Sequence, residues 1–297
     1  MARQLTNILR EIRAGLLTCT GIDAMPNPLG NVSAGQINSC LKIAHQNRCY
    51  FIKLNAAGKQ GMFEAEMAGL EELAQAACLR VPEPVFCGTA QDQSFIIMEY
   101  LELQSHGSPA ALGEGLAALH QVTREQFGWK HENTIGLTRQ VNTPTSDWPR
   151  FWAERRLGFQ LELAAENGYR GTLQTDGKQL QLDIELFFTT YHPRPALLHG
   201  DLWAGNFAYL PDGQAVIYDP AVYFGDRETD LAMTELFGGF SPEFYSAYRA
   251  VYAPDPGYGT RKHLYNLYHV LNHLNLFGGA YLAQAESLLA RLLAELR

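Results

Sequence analysis

The chain has 297 residues, long enough to bury a sizeable core and, by length, to form about two lobes. Hydrophobic residues make up 46% and charged residues 18%, which excludes a disordered chain. The formal net charge of −8 argues against nucleic acid or an anionic membrane as the main partner, although a local basic patch could still bind phosphates. Five cysteines, Cys19, Cys40, Cys49, Cys78 and Cys87, are scattered without a C-x-x-C pair and read as reduced thiols of a cytoplasmic protein. The start, Met1 to Asn7, lacks the apolar core of a signal peptide, and no stretch approaches the ~18 apolar residues of a membrane span.

Leu5, Ile8, Leu9, Ile12 and Leu16 share one face at helical spacing, so the chain opens with an amphipathic helix. Pro28 to Asn38 then reads as a turn of small residues, followed by strand-like runs from Ile37 to Ala44 and from Arg48 to Leu54, with a bend at Gln46-Asn47. The first bend, with Ser33, Ala34 and Gly35 and with Gln36 beside them, could cover phosphates with backbone N–H groups. It is not G-x-G-x-x-G, and alone it is as ordinary as any hairpin loop. Lys53 lies inside the apolar strand Tyr50-Phe51-Ile52-Lys53-Leu54, where a lysine usually faces solvent. Gly61 to Ala77 is helical, with Glu66 between Phe63 and Leu70 on the inward side, whereas Glu71 and Glu72 read as solvated surface.

Pro82 and Pro84 end that helix, and Val85–Gly88 and Ser94–Tyr100 read as two further strands. The second ends in a short linker at Glu99, Tyr100 and Leu101. This places a lobe boundary near Leu101 to Ser105, dividing the chain into 1–103 and 104–297. From Ser108 the pattern turns helical. Pro109 to Gln121 is one helix, with His120 a helix-end or packing residue. Gly128 to Thr145 is loop-rich and holds Trp129, His131 and Asn133 as candidate substrate-side contacts. Ser146-Asp147-Trp148-Pro149 announces a helix reaching Glu166, and another is expected from about Lys178 to Tyr191.

The most informative stretch is Leu197-Leu198-His199-Gly200-Asp201-Leu202-Trp203-Ala204-Gly205-Asn206. His, Asp and an Asn five positions after the Asp match the catalytic-loop spacing of phosphoryl-transfer kinases, H-x-D-x-x-x-x-N. Asp201 would accept the proton of the attacking hydroxyl, and Asn206 would turn its amide oxygen to a metal on the nucleotide phosphates. After a turn at Pro211-Asp212-Gly213, the apolar run Ala215 to Tyr218 ends in Asp219, the second expected Mg²⁺ ligand. Pro220 follows where protein kinases have Phe-Gly, so the mobile Phe switch of those enzymes is not expected. In this frame Lys53 is the phosphate-binding lysine, Glu66 its partner, and Glu99 to Leu101 the edge that holds adenine through backbone bonds.

His, Asp and Asn are common turn formers, but Asn206 and Asp219 at kinase spacing weigh against that reading of Asp201. A metallophosphoesterase would need more histidine ligands, and none lies between Asn206 and His263. Downstream, Asp226 and Arg227 could touch substrate or fix the loop by a charge-assisted bond. Asp230 opens the next helix and is expected to tie it to the catalytic loop. The remainder, Pro242 to Ala250 and Arg261 to Leu296, is helical, and there is no internal repeat.

Together these residues resemble the aminoglycoside phosphotransferase-like kinases and, more closely, the fructosamine kinase (ketosamine 3-kinase) family. The phrases Leu198 to Asn206, Tyr218-Asp219-Pro220-Ala221, Phe237-Gly238-Gly239-Phe240, Leu271 to Gly279 and Met62-Phe63-Glu64-Ala65-Glu66 look like that family's own. The resemblance implies an α+β, two-lobed protein kinase-like fold, a small antiparallel-sheet N-lobe with a mainly helical C-lobe. It also implies ATP- and Mg²⁺-dependent phosphorylation of the 3-hydroxyl of a ketosamine, small or protein-bound, in the repair of glycated amines. By position it makes Asp201 the proton acceptor and Asn206 and Asp219 the metal ligands, and places Trp203 and Tyr223 to stack against the sugar. Some members carry a Cys in the glycine-rich turn that permits redox-controlled dimers; Gln36 stands in that region here. The alternatives are a kinase of the same fold acting on an aminoglycoside or choline-like alcohol, and a pseudokinase, which usually lacks the lysine or a metal-binding acid; Lys53, Asp201, Asn206 and Asp219 are all present.

Overall fold

The computed structural model describes residues 2–32 and 37–297, so the bend at Ser33, Ala34, Gly35 and Gln36 lies outside the described residues. The chain forms two compact units, one of Met1–Gly107 with Ala208–Asp219, the other of Ser108–Phe207 with Pro220–Arg297.

The first unit opens with helix α1 (Ala2–Thr20), followed by strands β1 (Asn27–Val32), β2 (Ser39–His45) and β3 (Arg48–Ala56), helix α2 (Gln60–Ala76), and strands β4 (Pro84–Ala90) and β5 (Gln93–Glu99). The strands make one antiparallel sheet in the order β1-β2-β3-β5-β4. Alternation along β3 sends Tyr50, Ile52 and Leu54 into a core with Leu41, Ile43, Phe95, Ile97 and the α1 stripe Ile8, Leu9, Ile12 and Leu16. Each such side chain contributes roughly 1.5–3 kcal/mol when fully buried, so α1 is held by this stripe more than by its own helix propensity. Cys40, Lys53 and Ile96 are register partners across the sheet and, by the same alternation, share its other face.

The stretch read as a turn from Pro28 is instead strand β1 as far as Val32. It is an edge strand with a bulge between Pro28 and Gly30, and its residues are nearly all exposed, so no alternating apolar pattern marked it. Glu72, expected at the surface, is buried, while Glu71 is exposed.

The second unit continues with α3 (Pro109–Leu119), the short hairpin β6 (Asn133–Ile135) and β7 (Thr138–Gln140), α4 (Trp148–Phe151), a π-helical stretch Trp152–Gly158, α5 (Phe159–Glu166) and α6 (Thr172–Asp183). Ser108 and Asp147 cap α3 and α4 by accepting from the backbone N–H groups of Ala111 and Arg150, with Pro in the first turn of each. The helix expected from Lys178 begins earlier, at Thr172, after the left-handed Gly171 (φ +70°), and tightens to a 3₁₀ turn at Ile184–Phe188. Strands β8 (Ala196–Leu198), β9 (Phe207–Tyr209), β10 (Ala215–Ile217) and β11 (Tyr223–Gly225) follow; β8 pairs with β11 in this unit, while β9 pairs with β10, and beyond Phe207 that pair belongs to the first unit. Helices α7 (Glu228–Leu236), α8 (Pro242–Val251), α9 (Tyr258–Phe277) and α10 (Leu282–Glu295) complete the chain. Among the described residues no helix is long and apolar enough to cross a membrane.

Candidate active site

The site residues read from the sequence fall into two sets, one in each unit. In the first unit, β3 presents Lys53, which is 4% exposed and would be costly to bury without counter-charges. Two carboxylates meet it. Its Nζ donates to Glu66 on α2 and to Asp219 Oδ1 at 2.7 Å. Burial alone would push the ammonium down, but Asp219 and then Glu66 outweigh it and hold the lysine above its ordinary range, fully charged. Glu66, the partner chosen for Lys53 from helical phase, is therefore one of the two it has. Asp219 follows β10, adopts a left-handed backbone (φ +57°) that Asp tolerates better than most residues, and keeps its side chain 47% exposed.

The linker after β5 is fixed within the same unit. Glu99 N–H donates to Glu83 O at 2.8 Å and Tyr100 N–H to Cys49 O at 3.2 Å. The Glu99 carboxylate accepts from Arg80, and the Lys42 ammonium stands 3.7 Å over the Tyr100 ring. Both the side chains and the backbone N–H groups of Glu99 and Tyr100 are thus engaged in structure.

The second set is the catalytic loop after β8. Asn206 donates from Nδ2 to Asp201 O at 2.8 Å and more weakly to Asp201 Oδ2 at 3.4 Å. These bonds orient the amide and leave Oδ1 as its remaining acceptor. Gly200 has φ +82°, and a Cβ there would fall 2.1 Å from Ala221 O, so the turn that presents Asp201 admits only glycine. Asp201 is partly exposed, and His199 behind it is buried.

Asp230, 1% exposed, accepts from the N–H groups of His199 at 2.8 Å and Gly200 at 2.9 Å, which is the tie expected between α7 and the loop. Behind it runs a relay that the sequence did not reveal. His120 Nε2 lies 3.2 Å from Asp230 Oδ2, His120 Nδ1 lies 2.8 Å from Tyr248 Oη, and Arg227 donates to that same oxygen at 3.0 Å. The carboxylate of Asp230 can only accept, so His120 Nε2 carries the proton between them. Burial would raise the Asp230 carboxyl, but the His120 bond and the loop amides hold it below its ordinary value. Its stabilisation is accordingly complete above the usual aspartate range and is lost as the pH falls through the lowered value. Asp230→Ala strands two buried N–H groups and one imidazole, each orphan costing about 1–3 kcal/mol. A melting temperature lowered by several degrees, with kcat reduced, is the expected outcome of thermal unfolding and rate measurements; an unchanged melting curve would contradict it.

Three sequence expectations need correction. Tyr223 is 2% exposed, stacked on Phe151 and covered by the Arg156 guanidinium 4.2 Å from its ring, so it is a core residue and not a surface for sugar. Asp226 is fully buried and accepts from Tyr265 Oη at 2.5 Å, Tyr191 Oη at 2.8 Å and Glu228 N at 3.0 Å; it fixes the start of α7 and has no route to substrate. Asn133, considered for substrate contact, is buried and donates to Val222 O at 2.7 Å. Of the two roles open for Arg227, the structure gives the structural one, with donations to Tyr252 O and Ala253 O besides Tyr248. Trp203 is 41% exposed, its ring laid against Gly205.

Among the described residues no group of three or more His, Cys, Asp or Glu could hold a metal by itself. The available donors still suit a hard cation. Asp219 in the first unit has a second carboxylate oxygen beyond the one on Lys53, and Asn206 in the second offers Oδ1; both are hard oxygen donors of the kind Mg²⁺ takes.

A lysine clamped by a helix carboxylate and a post-strand aspartate, with an Asp…Asn catalytic loop tied down by a following helix, is the apparatus of a protein kinase-like phosphotransferase, and the α+β fold is that of this class. The fructosamine kinase family model matches residues 10–295, and the chain belongs to that family. A relative in Synechocystis, named a probable ketoamine kinase, is 46% identical over 266 residues, 89% of each chain. A chloroplastic protein-ribulosamine 3-kinase of Arabidopsis thaliana is 39% identical over 282 residues, 94% of this chain and 86% of the other. A crystal structure from Haemophilus somnus, carrying the provisional name fructosamine-3-kinase, superposes with a TM-score of 0.90 at 27% identity, covering 98% of this chain and 99% of that one.

Proposed function

We propose that this protein is an ATP-dependent kinase that phosphorylates the 3-hydroxyl of ketosamines, free or protein-bound, and so marks glycated amines for deglycation. The observation that carries the reading is the buried Lys53 fixed between Glu66 and half-exposed Asp219, a preset cation beside a carboxylate that retains a free oxygen. Lys53 grips the α- and β-phosphates while Glu66 keeps its ammonium in place. Glu99 and Tyr100 have their N–H groups engaged, which leaves Leu101 as the donor for adenine at this edge. Asn206 and Asp219 hold Mg²⁺, which when bound neutralises charge on the transferring phosphoryl group. Asp201 takes the proton from the substrate hydroxyl as the new O–P bond forms, and Trp203 offers an exposed face for the sugar. The five cysteines, none joined in a disulfide, suit a reducing compartment such as the cytoplasm.

The test is ATP consumption with a panel of ribulosamine, erythrulosamine and fructosamine adducts alongside an aminoglycoside and choline. Turnover confined to the adducts is expected. Turnover only of the aminoglycoside or of choline would replace the ketosamine reading with a same-fold alternative.

A further inference from the structure

Two helices end on the same three residues. Phe237-Gly238-Gly239 closes α7 and Phe277-Gly278-Gly279 closes α9, with Gly238, Gly239 and Gly278 all left-handed at φ +72°, +94° and +93°. His273 on α9 lies between the two phenylalanines. Its ring centroid is 5.0 Å from that of Phe237, 5.5 Å from Phe277 and 5.1 Å from Tyr281. Phe237 and Phe277 are 42% and 50% exposed, a large apolar area for a surface otherwise rich in polar residues.

The cradle adjoins the catalytic loop. A Cβ at Gly239 would fall 2.4 Å from the Ala204 Cβ, so the turn after Phe237 rests on a residue three positions after Asp201 and next to exposed Trp203. The chemistry of its centre is also fixed. His273 Nδ1 lies 2.8 Å from His269 O, a carbonyl that can only accept, so Nδ1 carries the proton and Nε2 of the neutral ring is left as an acceptor. Burial holds the imidazole below its ordinary range, which keeps it from repelling a cation.

We propose that this cradle receives the amine arm of the substrate, the protonated nitrogen and the first carbons beyond it, and so distinguishes a ketosamine from the parent ketose. The inference rests on the ketosamine kinase reading. A ketosamine nitrogen is a secondary aliphatic amine, cationic at neutral pH, and it sits two carbons from the carbon that bears the reacting hydroxyl. With that hydroxyl at Asp201, we place the arm over the loop surface at Ala204, on which the turn after Phe237 rests. Aromatic faces attract such a cation, and Nε2 can accept one of its N–H bonds. The reacting sugar needs none of these groups.

The experiment compares kcat/KM for a ketosamine with kcat/KM for the ketose of the same sugar lacking nitrogen, in wild type, Phe237→Leu, Phe237→Tyr and His273→Phe. The ratio is expected to fall roughly 3- to 30-fold in Phe237→Leu and in His273→Phe, the range of a cation–π or hydrogen-bond contact, and to be restored in Phe237→Tyr. An unmoved ratio in an enzyme that does phosphorylate the ketosamine overturns the cradle alone. A wild type that phosphorylates neither compound, or only the ketose, rejects the ketosamine reading itself. Melting curves of the variants show whether each is folded; a His273→Phe protein that does not fold leaves the Phe237 pair to decide.

Discussion

Asp201→Asn lowers kcat by roughly 10²- to 10⁴-fold, the usual worth of a positioned general base, while ATP affinity stays near that of the wild type. Asp201 is partly exposed and sits on a turn whose shape is set elsewhere, by Gly200, by the Asp230 acceptors and by Asn206. Replacing its carboxylate with an amide removes the group assigned as proton acceptor and leaves that scaffold in place. Lys53, Glu66 and the β5 edge, which are assigned the nucleotide, do not include this residue. In free energy the loss is about 2.7–5.4 kcal/mol of transition-state stabilisation. Isothermal titration with ATP and Mg²⁺ alongside steady-state rates checks both halves. A comparable loss of nucleotide affinity would mean that Asp201 is a nucleotide ligand and not the base.

Asp219→Ala abolishes metal-dependent turnover, because it deletes the carboxylate assigned to Mg²⁺ and one of the two counter-charges on Lys53. The alanine variant also pays about 1–2 kcal/mol for a left-handed backbone at this position, a cost that Asn largely avoids. Asp219→Asn therefore separates charge from backbone geometry. Both variants are expected to be inactive at every Mg²⁺ concentration, and both are expected to fold, since Lys53 keeps Glu66 and the Asp219 side chain is half exposed. Activity in Asp219→Asn with none in Asp219→Ala would place the role of this residue in its backbone; activity in both would remove it from the metal site.

What could be read from the sequence was local or periodic. Lys53 and Glu66 were paired because helical phase put Glu66 on the inward side of α2, and Asp230 was linked to the loop because it begins the helix after it. The stretch from Ala221 to Thr234 was harder. It carries Asp226, Arg227, Glu228 and Asp230, the first two read as able to touch substrate, yet every residue in it is buried. The charges are tolerated because distant residues satisfy them: Tyr191 and Tyr265 on Asp226, Arg261 on Glu228, and carbonyls of Tyr252 and Ala253 on Arg227. No spacing within the segment announces partners that lie 21 to 39 residues away. His120 was invisible as a loop-holding residue for the same reason, since its partners Asp230 and Tyr248 are on α7 and α8. Edge strand β1 escaped because an exposed, bulged strand has no buried face to impose a pattern.

The most direct measurement is the position of the phosphate in the product. With ATP, Mg²⁺ and a ketosamine labelled with ¹³C through its sugar, the wild-type protein should give a product whose NMR spectrum shows phosphorus coupling at the carbon bearing the 3-hydroxyl, and Asp201→Asn should give almost none in the same time. Phosphate on any other oxygen, or an Asp201→Asn protein that forms the product at the wild-type rate, would contradict it.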